Sequence, residues 1–381
     1  MYKSYFSVID KLQGKYADFL EDVCNIESPT SCKEGVDSVL RYCLRYAEGE
    51  GYEAEVFSQE VSGDAAVITM NPNAKGEPIL LSAHMDTVHP VGSFGTPAVR
   101  RDGENMYGPG VMDCKGGIAA AFLAMKALCE CGYTSRPVKL FLQSDEENSS
   151  ITSDKKTISQ MVECSRGAVA FINLEGHIKD TAVMTRKGII RYKFTVRGKS
   201  LHSARCAYAA SAVAEAAYKI IELEKMKDAE GLTCNCVIAY GGDAPNTVPE
   251  RCVFTADIRF VSEEELETAK STVFNLASKC FVDGCVTEVD EVSFRPAMAA
   301  CERNDKLLEK LNFAYEKCSL PILLPRFCVS GSDAAYITEA GIPCVDSLGT
   351  EGGNIHSVRE FIRLSSIAEA AKRIVAAALY L

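Results

Sequence analysis

His84 and Asp86 stand two residues apart at the end of a short apolar run, Pro78-Ile79-Leu80-Leu81-Ser82-Ala83. In a strand, residues i and i+2 face the same side, so both can serve one site at the strand's carboxyl end. Neutral imidazole is a good zinc ligand, and a carboxylate two residues on can orient it. Alone, a His-x-Asp pair also fits a surface turn. A second carboxylate, Asp113, follows in Tyr107-Gly-Pro-Gly-Val-Met-Asp-Cys-Lys-Gly-Gly117, where four glycines and a proline in eleven residues describe a constrained turn with the backbone close to something else. It precedes an Ala-, Leu- and Met-rich helix over 115–130, which it can cap; it can also bridge two metal ions. The apolar run Val138–Gln143 ends in Ser144-Asp145-Glu146-Glu147. Charge there is costly unless solvated or paired, so this is either a solvated loop or a general base beside a metal ligand. The run Gly167–Leu174 ends in Glu175, with His177 two residues on as a competing ligand. Three strands ending in histidine or carboxylate favour a metal site, since α/β sheets bind ligands outside the carboxyl ends of their strands.

The elements that must position these residues are legible in outline. Helices are expected over residues 3–27, ended by Ser28-Pro29-Thr30, and around Val36–Ala47; strands over Ala54–Phe57 and Ala65–Met70. Gly92–Arg101 reads as a polar loop. The texture changes near Thr185. A strand over 189–197, a helix over Ala207–Met226, strands over Thr233–Ala239 and Cys252–Phe260, a helix over Ser262–Phe281 opened by a Ser262/Glu265 capping box, and a strand over Val286–Phe294 follow in turn. That β-α-β-β-α-β order is ferredoxin-like and reads as an inserted α+β domain over 187–295. Residues 1–186 and 296–381 would form the first, α/β domain. Helices over Asn304–Tyr315, Asp333–Ala340 and Leu364–Leu381 and strands over Ile322–Val329 and Ile342–Val345 complete it.

Composition excludes several classes. The 381 residues are 47% apolar, enough for full cores in two domains. The net charge of −11 and the lack of a long basic run argue against nucleic acid as a partner. Seventeen scattered cysteines do not form a disulfide framework; they suit reduced thiols in a cytoplasm. The first residues hold no apolar signal core, and no run approaches the roughly 20 residues of a membrane span.

The order His84-x-Asp86, Gly-Pro-Gly-Val-Met-Asp113-Cys-Lys-Gly-Gly, Asp-Glu146-Glu147, Glu175 and a late His356 resembles the M20 metallopeptidase/amidohydrolase family across essentially the whole chain. The resemblance implies a zinc-exopeptidase-like α/β/α catalytic domain carrying a ferredoxin-like lid that dimerises. It implies two Zn2+ per chain, with Co2+ or Mn2+ as possible substitutes. His84 and Glu175 would hold one ion, Glu147 and His356 the other, and Asp113 both. Asp86 would orient His84, Glu146 would be the general base, and the Asp113–Cys114 peptide would be cis. On the lid, His202 would reach a partner's site and bind the developing oxyanion. Asn246 in Gly241-Gly-Asp-Ala-Pro-Asn-Thr-Val-Pro249 would hydrogen-bond substrate. Arg259 would hold a substrate carboxylate, and the backbone of Gly331-Ser332 could bind another. Glu175 stands where part of the family has Asp.

The implied activity is hydrolysis of an amide bond beside a free carboxylate in a small peptide. N-acyl amino acid deacylation or desuccinylation is the alternative within enzymes, and a non-catalytic, metal-dependent peptide binder the alternative outside them.

Overall fold

The computed structural model describes residues 2–381. The chain divides into two compact units: one runs through Met184 and adds Ala300–Phe327 and Ser332–Leu381; the other is Thr185–Ala299 with Cys328–Gly331. The second unit therefore extends a few residues past the expected 187–295 and draws in a short later segment.

The first unit is built on a six-stranded sheet. Its first five strands in chain order are β1 (Glu53–Phe57), β2 (Ala65–Met70), β3 (Ile79–His84), β4 (Val138–Gln143) and β5 (Ala170–Asn173), and the short strand Cys344–Val345 completes it. The spatial order is β1-β2-β4-β3-β5 and then Cys344–Val345. β3 lies between β4 and β5 and runs parallel to both, with His84 opposite Gln143 and Ser82 opposite Asn173. Every residue of β3 and β5 is buried, as parallel strands covered on both faces require. The three carboxyl ends thus open onto one edge, which brings His84, Glu146, Glu147 and Glu175 together.

One face is covered by α1 (Tyr2–Asn25), α3 (Lys115–Glu130) and the helices Glu302–Lys317 and Ser365–Tyr380, with α2 (Lys33–Gly49) near β1 and β2. α3 is buried almost all round, so it is a core helix rather than a half-wet one. Its two leading glycines explain the glycine-rich turn. A Cβ on Gly117 would lie 2.5 Å from the carbonyl oxygen of Leu174, the residue before Glu175. A Cβ on Gly116 would collide with Thr350 and the Val111 carbonyl.

The second unit is a four-stranded antiparallel sheet of β6 (Gly188–Arg197), β7 (Thr233–Gly241), β8 (Arg251–Phe260) and β9 (Val286–Arg295), ordered β7-β8-β6-β9. With α4 (Ala212–Leu223) and α5 (Glu263–Ser278) it has the β-α-β-β-α-β connection expected. Alternate residues Ile190, Tyr192, Phe194 and Val196 of β6 enter a core shared with both helices. Half of the expected Ser262/Glu265 capping box forms: the Ser262 hydroxyl accepts the Glu265 N–H, while the Glu265 carboxylate reaches one residue further back and accepts the Val261 N–H.

Some elements differ from expectation. The helix expected over Ala207–Met226 is shorter: Ser203–Tyr208 is a 3-10 turn, and α4 starts only after Ser211, whose hydroxyl caps Ala214. The Gly92–Arg101 loop ends in a hairpin, Arg100–Asp102 with Asn105–Tyr107. That hairpin joins Phe361–Arg363 and Gly352–Gly353 in a small sheet.

The glycine seam yields a stability test. Gly117→Ala should lower the unfolding free energy by about 1–3 kcal/mol, the usual cost of overpacking, in a urea titration. Gly14→Ala, where a Cβ meets open space within α1, should instead raise it by about 0.5–1 kcal/mol.

Candidate metal centre

His84 closes β3 with its side chain 2% exposed. Its Nδ1 lies 2.9 Å from the Asp86 carbonyl oxygen and 3.3 Å from the Asp86 carboxylate, and its Nε2 faces outward. That Nε2 is 3.0 Å from Asp113 Oδ1 and 3.7 Å from Glu175 Oε1. Asp113 Oδ2 lies 3.2 Å from His356 Nε2, which is also 3.3 Å from Glu147 Oε2. Each oxygen of Asp113 therefore faces a different imidazole. The side chain does not cap α3, whose N-cap is Cys114 with no side-chain cap. The Asp113–Cys114 peptide is cis.

Asp86 is fully buried and holds three neighbours at once. Beside His84, its carboxylate accepts the Glu146 and Glu147 N–H groups, each at 3.2 Å, and the Thr30 hydroxyl at 2.7 Å. It fixes the turn that aims the two glutamates. Glu146 is itself buried at the same strand end. His177 turns away from the cluster: its Nδ1 is 2.8 Å from the Ser347 carbonyl oxygen.

Two overlapping donor groups result, His84/Asp113/Glu147 and His84/Cys114/Glu175, in each of which the donor atoms lie within 4.8 Å of one another. The Cys114 thiol accepts the His84 backbone N–H at 3.1 Å. Burial pushes its pKa up to about 12, which makes it a neutral packing group rather than a nucleophile.

Without a cation, these charges answer one another. Burial, then the Asp113 charge, raises Glu175 well above the carboxylate range. Burial pushes Glu147 up to about 7 despite its hydrogen bond with His356. Burial also works to raise Asp113, but its hydrogen bonds with His356 and His84 outweigh it and hold the carboxyl well below its usual range. Hydrogen bonds to Asp113 and Glu147 lift His356 to about 10. Burial opposes the charged form of His84, yet the hydrogen bonds to Asp113 and Asp86 raise it well above its ordinary value.

The remaining expected site residues lie apart from this cluster in the chain. In the second unit, His202 is exposed at the head of the 3-10 turn, and its Nδ1 accepts the Ala204 N–H at 3.2 Å. The Ser203 N–H donates to the Asn246 carbonyl oxygen at 2.9 Å, so His202 and Asn246 sit on adjoining loops. Arg259 points along β8 to Asp257, with Nε 2.6 Å from Oδ1. Arg191, opposite Asp257 on β6, binds the other oxygen at 2.6 Å. Gly331 packs against Ile189 and Arg295. In the first unit, the Ser332 hydroxyl is buried and donates to Asp346 at 2.5 Å, which leaves backbone as what this position can offer.

Sequence reasoning missed Thr30, Lys115, Arg191 and Glu360. Lys115 is buried and donates to the carbonyls of Val23 and Ile26 at the end of α1. A lysine inside an apolar helical stretch was the available signal. The other three show only once the register and the turns are known.

The fold and this donor cluster define an enzyme of the metal-dependent hydrolase class. The profile of Peptidase family M20/M25/M40 matches residues 80–380, and the chain belongs to that family. Carboxypeptidase G2 from Pseudomonas sp. (strain RS-16) is 27% identical over 354 residues, covering 91% of this chain and 85% of that one. Succinyl-diaminopimelate desuccinylase from Alkalilimnicola ehrlichii is 25% identical over 279 residues, 69% of this chain and 72% of that one. The crystal structure of a tripeptidase from Staphylococcus aureus subsp. aureus Mu50 matches at a TM-score of 0.79 and 19% identity, covering 96% of this chain and 97% of that one. Among the described residues, no helix is long and apolar enough to cross a membrane.

The raised imidazole has a measurable consequence. In the metal-free protein, His356 contributes stability that is full below about pH 6.5 and is lost as the pH rises through about 10. The raised Glu147 acts in the same direction, from about pH 4.5 through about 7. A metal must displace these protons. Affinity for a divalent ion, measured by competition with a chromophoric chelator, should therefore climb steadily from about pH 6 to about pH 9; a flat profile would contradict the assignment of His356 and Glu147 as ligands.

Proposed function

We propose that this chain is a dizinc hydrolase that cleaves an amide bond next to a free carboxylate in a small peptide. The observation that carries the reading is Asp113, whose two oxygens face His84 and His356 separately. That is the disposition a carboxylate needs to serve two ions about 3.5–4 Å apart. The donor set fits: imidazole and carboxylate are both zinc ligands, and a pair of cations would offset the crowded negative charge. His84 and Glu175 would hold one ion, His356 and Glu147 the other, and Asp113 both; Co2+ or Mn2+ could substitute. Bound there, the ions supply Lewis acidity toward the scissile carbonyl and lower the pKa of a water molecule to about 7.

The chain's own residues do the rest. Glu146, at the same strand end, takes a proton from the attacking water and returns it to the departing amine. Asp86 keeps the His84 ring oriented and the Glu146–Glu147 turn in place. His202 and Asn246 are read as donors to the developing oxyanion. The Arg259 guanidinium is read as the carboxylate holder, since a planar fork matches a carboxylate. Gly331 and Ser332 contribute backbone N–H groups. Asp257 already takes one face of both Arg191 and Arg259, which leaves one positive charge in excess for a substrate carboxylate.

A homodimer through the second unit is part of the same reading. β7 is an edge strand with Val237, Ile238 and Tyr240 exposed, and α4 exposes Val213, Tyr218 and Ile221. An apolar edge of this kind is otherwise an aggregation hazard. Seventeen cysteines, none of them in a disulfide, support a reducing compartment such as the cytoplasm.

Deacylation of an N-acyl amino acid is the second reading, favoured by the similarity to a desuccinylase. The deciding experiment is metal content with turnover, before and after chelation, on dipeptides, tripeptides and N-acyl amino acids. Two ions per chain with peptide turnover restored by zinc is the expected result. Turnover of acyl substrates alone would select the second reading, and no metal uptake would overturn both. Glu146→Gln should keep both ions and lose about 10²–10⁴ in kcat; a variant as fast as the parent would remove Glu146 as the base.

A further inference from the structure

Glu360 is 1% exposed and lies in the same loop as His356. Its Oε1 accepts the N–H groups of Met112 at 2.9 Å and Asp113 at 3.1 Å. Its Oε2 meets His89 Nε2 at 2.9 Å and, more distantly, the Gly110 N–H at 3.4 Å. Its backbone carbonyl accepts the Gly108 N–H at 3.3 Å. His89 is buried and set edge-on against Phe94, with ring centroids 4.9 Å apart. One side chain therefore gathers most of the Gly108–Asp113 turn by its backbone donors.

The arrangement solves a specific problem. Asp113 must offer both side-chain oxygens outward, so its own carboxylate cannot stabilise the turn that carries it. The turn's N–H groups still need acceptors. Glu360 supplies a second, buried carboxylate behind the first. Because Glu360 and His356 belong to one short loop, the acceptor that fixes Asp113 also fixes the approach of His356.

We propose that Glu360 is a positioning residue that sets the spacing between Asp113 and His356, and with it the affinity of the ion that His356 and Glu147 hold. It touches neither substrate nor metal. The inference rests on the dimetal reading above and assigns to Glu360 a role in that site. Outer partners that orient ligands typically change metal affinity by about 10–100-fold when altered.

The test is Glu360→Gln in the full-length protein, with zinc affinity measured by chelator competition and by metal analysis after dialysis. Glutamine keeps the shape but turns one acceptor into a donor that faces either the Met112 and Asp113 N–H groups or the Gly110 side. The ion that His356 and Glu147 hold should bind about 10–100-fold less tightly, the other ion much less affected, and kcat should fall with KM nearly unchanged. Saturating zinc should recover part of the lost kcat. A structural staple alone predicts a lower melting temperature of the metal-free protein with both affinities intact.

His89→Asn is the second variant. It removes one partner of Oε2 and leaves the Met112 and Asp113 contacts in place, so a smaller shift in the same direction is expected, and it serves if Glu360→Gln does not fold. Both affinities within twofold of the parent in a folded variant would overturn the role of Glu360 while leaving the dimetal reading standing. A parent that takes up no metal would overturn both.

Discussion

The first unit depends on one electrostatic constraint: Asp86, Asp113, Glu146, Glu147 and Glu175 converge on the buried edge of a parallel sheet. Two carboxylates about 4 Å apart repel by about 4 kcal/mol at an effective dielectric of 20, and burial sharpens the cost. The structure meets it in two ways. Asp86 is neutralised in effect by backbone donors, a hydroxyl and the His84 ring. Asp113, Glu147 and Glu175 are left facing imidazoles; burial raises Glu147 and Glu175, whereas hydrogen bonds to His356 and His84 outweigh burial and hold Asp113 low. Such a cluster needs protons or cations to offset its charge.

The scaffold serves that constraint. Parallel pairing of β3 with β4 and β5 sets three strand ends side by side. The glycine seam lets α3 approach Leu174 closely enough for Glu175 to reach the same centre as Asp113. Lys115, buried one turn from the cluster, closes the carbonyl end of α1 and so ties the first helix to the turn that carries Asp113. The second unit shows a milder version of the same economy. Asp257 sits between Arg191 and Arg259, holding two guanidinium groups in fixed orientation without cancelling them.

Much of this was legible in the sequence because its periods are short. His84 and Asp86 share a face by the two-residue repeat, and apolar runs that stop at a carboxylate mark strand ends. The inserted β-α-β-β-α-β unit was readable from alternation and from the Ser262/Glu265 box. What stayed hidden depends on long-range register. Arg191 gains meaning only opposite Asp257, and Glu360 only when its loop folds back onto Gly108–Asp113. The helix expected over Ala207–Met226 is present but shorter, because alanine-rich composition reports propensity alone, whereas the Ser211 cap decides where α4 begins. The hairpin Arg100–Asp102/Asn105–Tyr107 was invisible because its partner strand, Phe361–Arg363, arrives only near the end of the chain.

That late arrival also bears on biosynthesis. A ribosome delivers His84, Asp113, Glu147 and Glu175 early, then the whole second unit, and only afterwards the segment with His356 and Glu360. Until that segment docks, the carboxylate edge lacks one imidazole and the Gly108–Asp113 turn lacks its acceptor. A chain that has emerged only as far as the second unit therefore carries the acidic edge without that imidazole and that acceptor, and the later segment supplies both. Domains generally fold as units in N-to-C order; here the insertion can fold before its host is finished.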